Sequence, residues 1–364
     1  MVLPHDVIVP VHGRATPGDK VHVRFDTQMH TTTCREDGTW MISLTAMKPN
    51  NRPEVMEIRS GIDRILLSDV LVGEVWLCSG QSNMDFPLQR AITGKEEMKR
   101  PTNPRIRFCS LTGLATSPRA FREHDRLRMK PENFFQGTWQ IDEPQTRGNH
   151  SAIAWWFAER RSHDTSVPVG IVENAVGGSG TEAWVSAEVL GSRPDYRDLL
   201  SDAWLDHPKV SPWARQRARQ QIGALKNATH PFQPGFLYQS GIAWWRDFPF
   251  TAVIWYQGET NAEIPDIAWN SRLLEDLMTS WRRGLGQPSL PFFVIELPRI
   301  GGNDPLRQYW PQYREAQQLA IKKTTHAYRI VSMDLGWDSA DVHPPDKKPL
   351  ALRVAEEIKK QRPR

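Results

Sequence analysis

The sequence predicts an α/β protein: a three-layer α/β/α sandwich with a central parallel sheet, preceded by a small antiparallel β-domain. Two patterns predict it. Residues 1–69 carry apolar side chains at a period of two, the mark of half-buried strands. From residue 70 to 364, short apolar segments alternate with stretches of helical periodicity, as expected for a sheet covered on both faces.

In the first 69 residues, Val7, Val9 and Val11 alternate with other residue types, as do Val21, Val23 and Phe25, then Trp40, Ile42 and Leu44. Pro17-Gly18 and Asp37-Gly38 provide turn chemistry between these runs, and the domain is expected to end near Asp69. The predicted strands of the sheet are 71–77, 168–172, 251–256, 291–297 and 328–333, each nearly continuous in apolar character. Trp269, Leu273, Leu277 and Trp281 recur every four residues, as do Leu350, Val354 and Ile358, so both stretches predict amphipathic helices. Trp155 and Trp156 also sit in a helical pattern. Residues 192–234, rich in Arg, Gln, Asp, Trp and Pro, are expected to form an insertion over the substrate cleft, with a helix around Ala214 to Ala228.

With 364 residues, 24% charged and 39% apolar, the composition is that of an ordinary globular protein. The 46 basic and 42 acidic side chains leave a formal charge of +4, and no basic block is dense enough for a nucleic-acid groove. No apolar run reaches the roughly 20 residues of a membrane span. Cys34, Cys78 and Cys109 lack any Cys-x-x-Cys spacing, which argues against a structural zinc site and a disulfide scaffold. The eleven histidines show no His-Glu-x-x-His, so a metal hydrolase lacks its ligands. No metal and no cofactor is expected.

Four motifs follow predicted strands and so converge on one edge of the sheet, where the loops of a parallel sheet gather reactive groups. Ser79-Gly80-Gln81-Ser82-Asn83-Met84 puts serine hydroxyls between a strand and a following helix; an N-cap would read the same way. Gly177-Gly178-Ser179-Gly180-Thr181 exposes backbone N–H groups but lacks both phosphate-loop patterns, so an oxyanion donor at Gly178 fits better than a nucleotide. Trp255-Tyr256-Gln257-Gly258-Glu259-Thr260-Asn261 supplies side-chain amides for an oxyanion or a sugar hydroxyl, or for a buried network. In Asp341-Val342-His343-Pro344, the imidazole has the intrinsic pKa to take a serine proton and Asp341 can hold its ring. Ser82 is not set in Gly-x-Ser-x-Gly, which argues against an α/β-hydrolase elbow.

Taken together, "LVGEVWLCSGQSNM", "VPVGIVENAVGGSGTEAW", "GFLYQSGIAWW" with "AVIWYQGETNA", and "DVHPPDKKPLALRVA" resemble the sialate O-acetylesterase branch of the SGNH (GDSL-like) hydrolases, whose fold is flavodoxin-like. The opening "MVLPHDVIVPVHGRATPGDKVHVRF" is similar to that family's N-terminal β-domain. The resemblance implies a carbohydrate O-acetylesterase with Ser82 as nucleophile, His343 as general base, and Ser82 and Gly178 N–H groups as oxyanion donors. Thr260 stands where the family pattern has Asn, so Gln257, or else Asn261, is the expected third donor. Ala340 stands where the acidic partner is usual, leaving Asp341 or Asp338. Gln81, Asn83, Glu259 and Trp184 are expected to contact substrate, with Trp255, Trp310 and Trp337 as further candidates for stacking on sugar faces. The implied partner is an acetylated glycan such as a sialic acid or xylan; separately, because the chain starts directly in strand-like sequence, the expected compartment is periplasmic or extracellular, with a removed leader. The alternatives are a non-catalytic carbohydrate-binding protein on the same fold, or an acetylxylan or other SGNH esterase.

Overall fold

Thirteen strands run through the computed structural model, which describes residues 1–113, 119–223 and 229–361. Six of them form a parallel core in the order β13 (Ala327–Ile330), β12 (Phe292–Ile295), β11 (Ala252–Tyr256), β7 (Asp63–Gly80), β10 (Val169–Ala175) and β8 (Asn103–Ser110). β9 (Trp139–Asp142) adds to β8 in antiparallel sense, making the sheet mixed.

Alternation along these strands divides the core. Val75, Leu77, Val253, Trp255, Phe292 and Val294 face the helices Ile267–Gly284 and Trp310–Lys323. Trp76, Cys78, Ile254, Phe293 and Ile295 face the helices Ala152–Thr165 and Lys348–Gln361. Because both faces are covered, β11 and β12 are apolar throughout, which is the pattern read from the sequence. Asp266 caps the Ile267–Gly284 helix by accepting from Trp269 N at 2.9 Å, and its buried stripe is Trp269, Leu273, Leu277 and Trp281. The helix expected around Ala214 to Ala228 is Pro212–Ile222; Ala228 lies outside the described residues.

In the first 60 residues, β2 (Val9–Arg14) pairs with β5 (Thr39–Leu44), and β3 (Lys20–Phe25) pairs with β4 (Gln28–Thr33) and β6 (Asn50–Ser60), all antiparallel. The inward residues Val21, Val23, Phe25, Trp40, Ile42 and Leu44 form their own apolar cluster with Met56, Val70 and Val72.

One difference from the sequence reading matters for the site. The strand expected at 71–77 is an 18-residue strand, β7. Its first half pairs with β6 and the short β1 (Val2–Pro4), and its second half is the centre of the parallel sheet. The early half is largely exposed and interleaves Ile65, Leu66 and Leu67 with Asp, Arg and Ser, so it lacks a continuous buried apolar run; at the far end, β10 and β11 extend the ladder through Gly80. β8 also escaped the sequence reading. Its Arg107 is buried, which breaks the apolar run, and it is compensated by Asp69 at 2.8 and 3.1 Å.

Candidate active site

The site lies beyond the carboxyl end of β7, between the loops after β10 and β11 and the loop before the last helix. At Gly80 (φ +142°) a Cβ would stand 2.0 Å from the Tyr256 carbonyl oxygen, so only glycine permits this approach of β7 to β11. The chain then turns tightly, with Met84 N and Asp85 N both donating to Gln81 O, and the turn carries Ser82 to a partly exposed position.

Ser82 Oγ lies 2.8 Å from His343 Nε2, and His343 Nδ1 lies 2.7 Å from Asp341 Oδ1. An ionised carboxylate can only accept, so Nδ1 carries the proton and Nε2 is left to accept from the serine hydroxyl. Asp341 Oδ1 also accepts from His343 N at 3.1 Å, which closes the Asp-x-His turn on itself. Asp338 is turned elsewhere: it pairs with Arg299 and is 82% exposed.

The glycine loop after β10 adjoins the serine, since a Cβ on Gly177 would be 3.4 Å from Ser82 Cβ. Gly178 is in the left-handed region at φ +78°. Its carbonyl accepts from Thr260 Oγ1 at 3.2 Å. The N–H groups of Ser82 and Gly178 have no acceptor among the described residues. Two unspent donors therefore flank the hydroxyl.

The polar side chains expected to meet substrate do something else. Gln257 is buried, and both its amide hydrogens are used, on Ser179 O (3.3 Å) and Asn261 Oδ1 (2.6 Å); its carbonyl accepts from Thr181 Oγ1 and Tyr313 OH. Asn261 Oδ1 also accepts from Thr181 N, and its amide donates to Glu182. Gln257 has no amide hydrogen left for an oxyanion, and Asn261 spends one of its two on Glu182; both lock the β10 and β11 loops together. Gln81 Oε1 accepts from Gly258 N and Thr260 N at 3.4 and 3.5 Å, another loop tie. Asn83 donates to Glu259 and, at 2.8 Å, to the carbonyl of Val342. Trp184 is wholly buried, donates to Ser179 Oγ at 2.9 Å and packs edge-on against Trp255. Trp184, Trp255 and Trp310 are core, not sugar platforms; Trp337 remains near the surface, donating to the Asp341 carbonyl at 2.7 Å.

Sequence reasoning passed over Lys347. Its ammonium is buried, donates to Asn83 Oδ1 and lies 4.9 Å from the centre of the Phe86 ring. Burial drives its pKa down to about 7, against the pull of Glu259 and Asp341. Glu259 is pushed the other way: burial raises its pKa, and one of its carboxylate oxygens has no hydrogen-bond partner. A lysine four residues after the histidine reads as a surface residue, and only the packing of Phe86 and Tyr256 over it reveals otherwise. Among the described residues no group of three or more His, Cys, Asp or Glu side chains is placed to hold a metal ion.

A family model for carbohydrate esterases of the sialic-acid-specific acetylesterase type matches residues 224–358. The chain is 26% identical to the sialate O-acetylesterase of Mus musculus over 94% of its own length and 68% of that protein's. It is likewise 26% identical to the sialate O-acetylesterase of Homo sapiens, over 94% and 65%. It therefore spans about two thirds of the length of these curated relatives. The crystal structure of a carbohydrate acetylesterase from Xanthomonas citri superposes with a TM-score of 0.76 at 26% identity, covering 98% of this chain and 72% of the other. The chain is thus similar to sialate O-acetylesterases and to a carbohydrate acetylesterase along nearly its whole length. The matched segment holds Gln257, Asn261, Asp341 and His343, while the Ser82 turn and the Gly178 loop lie before it. The likeness to the Xanthomonas structure takes in both parts, on a mixed α/β fold.

Proposed function

We propose that the protein is a carbohydrate O-acetylesterase that hydrolyses acetyl esters on sugar hydroxyls through an acetyl-serine intermediate. The observation that carries this reading is the continuous line Ser82–His343–Asp341, with spacings of 2.8 and 2.7 Å. Ser82 Oγ attacks the acetyl carbonyl while His343 Nε2 takes its proton. The N–H groups of Ser82 and Gly178 hold the resulting oxyanion; a donor of this kind is typically worth about 10²–10³ in turnover. Collapse expels the sugar alkoxide, which takes the proton back from His343. Water activated by the same imidazole then cleaves the acetyl-serine, releasing acetate and restoring the hydroxyl. Asp341 keeps the ring in the tautomer both half-reactions need.

The reading extends to the architecture: an SGNH-type three-layer catalytic region over 70–364, with residues 1–69 as an accessory β-unit. The separate apolar cluster of those first residues supports it. The experiment is acetate release from acetylated sialic acids, acetylxylan and acetylated pectin, by the wild type and by Ser82→Ala. Release by the wild type and none by the variant is the expected result. Full turnover by Ser82→Ala sinks the mechanism, and no release from any of the three sinks the substrate class.

A further inference from the structure

We propose that Trp213, in the first turn of the helix Pro212–Ile222, is the wall that restricts the acyl group to acetyl. The proposal rests on the reading of Ser82 and Gly178 given above.

The tetrahedral carbon formed on Ser82 carries four substituents. One is Oγ itself, the second is the oxyanion directed at the N–H groups of Ser82 and Gly178, and the third is the leaving oxygen, which must face His343 to regain its proton. The acyl carbon is the substituent left over, and on this proposal it lies on the side of Gly178 that Trp213 closes. Trp213 occupies the space beside Gly178. A Cβ built on that glycine would stand 2.4 Å from both Cη2 and Cζ3 of the Trp213 ring and 3.2 Å from Cζ of Phe232. The indole therefore lies where a side chain on Gly178 would begin.

This wall is held from several directions. Trp213 N donates to Glu263 Oε2 at 3.1 Å, and the same oxygen accepts from Ser211 Oγ, the helix N-cap, at 2.6 Å. Glu263 follows directly on the β11 loop, so the wall is tied to the frame that also positions Gly178 through Thr260. Arg217 lies over the indole, 4.9 Å from the ring centre, and Phe232 packs beside it with centroids 6.2 Å apart. Rigid walls discriminate by size because overpacked side chains relax poorly. Each methylene that a pocket must exclude is worth about 10–200-fold in kcat/KM.

The test measures kcat/KM for 4-nitrophenyl acetate, propionate and butyrate with the wild type, Trp213→Ala and Trp213→Phe, with Ser82→Ala as the control. The wild type is expected to favour acetate over butyrate, and Trp213→Ala to raise the butyrate-to-acetate ratio by on the order of tenfold or more. Trp213→Phe, which keeps an aromatic wall but shortens it, is expected to raise the ratio by less, and it decides the matter if the alanine variant does not fold. A wild type that takes butyrate as readily as acetate overturns the proposal, as does an unchanged ratio in a folded variant. In either case an inactive Ser82→Ala leaves the acetyl-serine mechanism standing. Acetate turnover by Ser82→Ala brings down that mechanism and this inference with it.

Discussion

Asn83 Nδ2 donates to the carbonyl of Val342 at 2.8 Å. The residue after Ser82 therefore holds the residue before His343, across 259 positions of chain. Lys347 in turn grips the Asn83 carbonyl, and Glu259 accepts from its amide. One side-chain amide with every polar atom spent thus ties the Ser82 turn to the His343 loop.

Replacing that amide should misplace the imidazole without touching the sugar. Asn83→Ala is expected to lose kcat by on the order of 10²-fold with little change in KM, read by steady-state kinetics on 4-nitrophenyl acetate. A KM effect with normal kcat would mean that Asn83 faces substrate after all.

The acidic partner should matter less than a buried one. Asp341 is about half exposed (53%), so water screens its effect on the ring. Asp341→Asn is expected to cost less than the roughly 10⁴-fold loss known for a buried triad aspartate. Asp338→Asn, which breaks only an exposed pair with Arg299, should leave kcat/KM at the wild-type value. Equal losses in the two variants would contradict the geometry.

Lys347 gives the fold a pH signature. An unfolded lysine keeps its proton to about 10.5, whereas burial lets the native side chain release it at about 7. Between those values the unfolded chain binds more protons, so this residue's contribution to stability rises with pH. The difference in unfolding free energy between wild type and Lys347→Met should shift in favour of the wild type from pH 6.5 to pH 9.5. A difference that stays flat over this window would mean the ammonium keeps its proton in the native state.

Gln257 should behave as a beam and not as a catalytic donor. Gln257→Leu strands Thr181, Tyr313 and Asn261, each unsatisfied buried group costing about 1–3 kcal/mol. A lowered melting temperature is expected, with kcat of the folded fraction falling by less than the roughly 10²-fold that marks a lost oxyanion donor.

Much of the parallel core was legible because strands covered on both faces must be apolar at every position, as in β11 and β12. The Asp-x-His spacing was legible too, since two residues suffice to bring a carboxylate to the ring nitrogen. What could not be read was direction. Gln257, Asn261, Asn83 and Glu259 have the same chemistry whether they face a sugar or a neighbouring loop, and in the folded chain they face loops. Trp184 misled for the same reason, being polar-tipped and close to a glycine turn yet wholly enclosed. Lys347 and Arg107 were invisible because a buried cation is an exception to residue-type rules that only its partners justify.

β7 begins among the first residues' strands and finishes one residue before the turn that presents Ser82. The division proposed at 69/70 falls inside this 18-residue strand, so one strand is structural timber for both parts. Excising the leading sheet as a cassette, or grafting another in its place, would strip the first half of that strand of its neighbours. Engineering of this scaffold will have to treat the opening 80 residues as a single beam whose far end is the footing of the Ser82 turn.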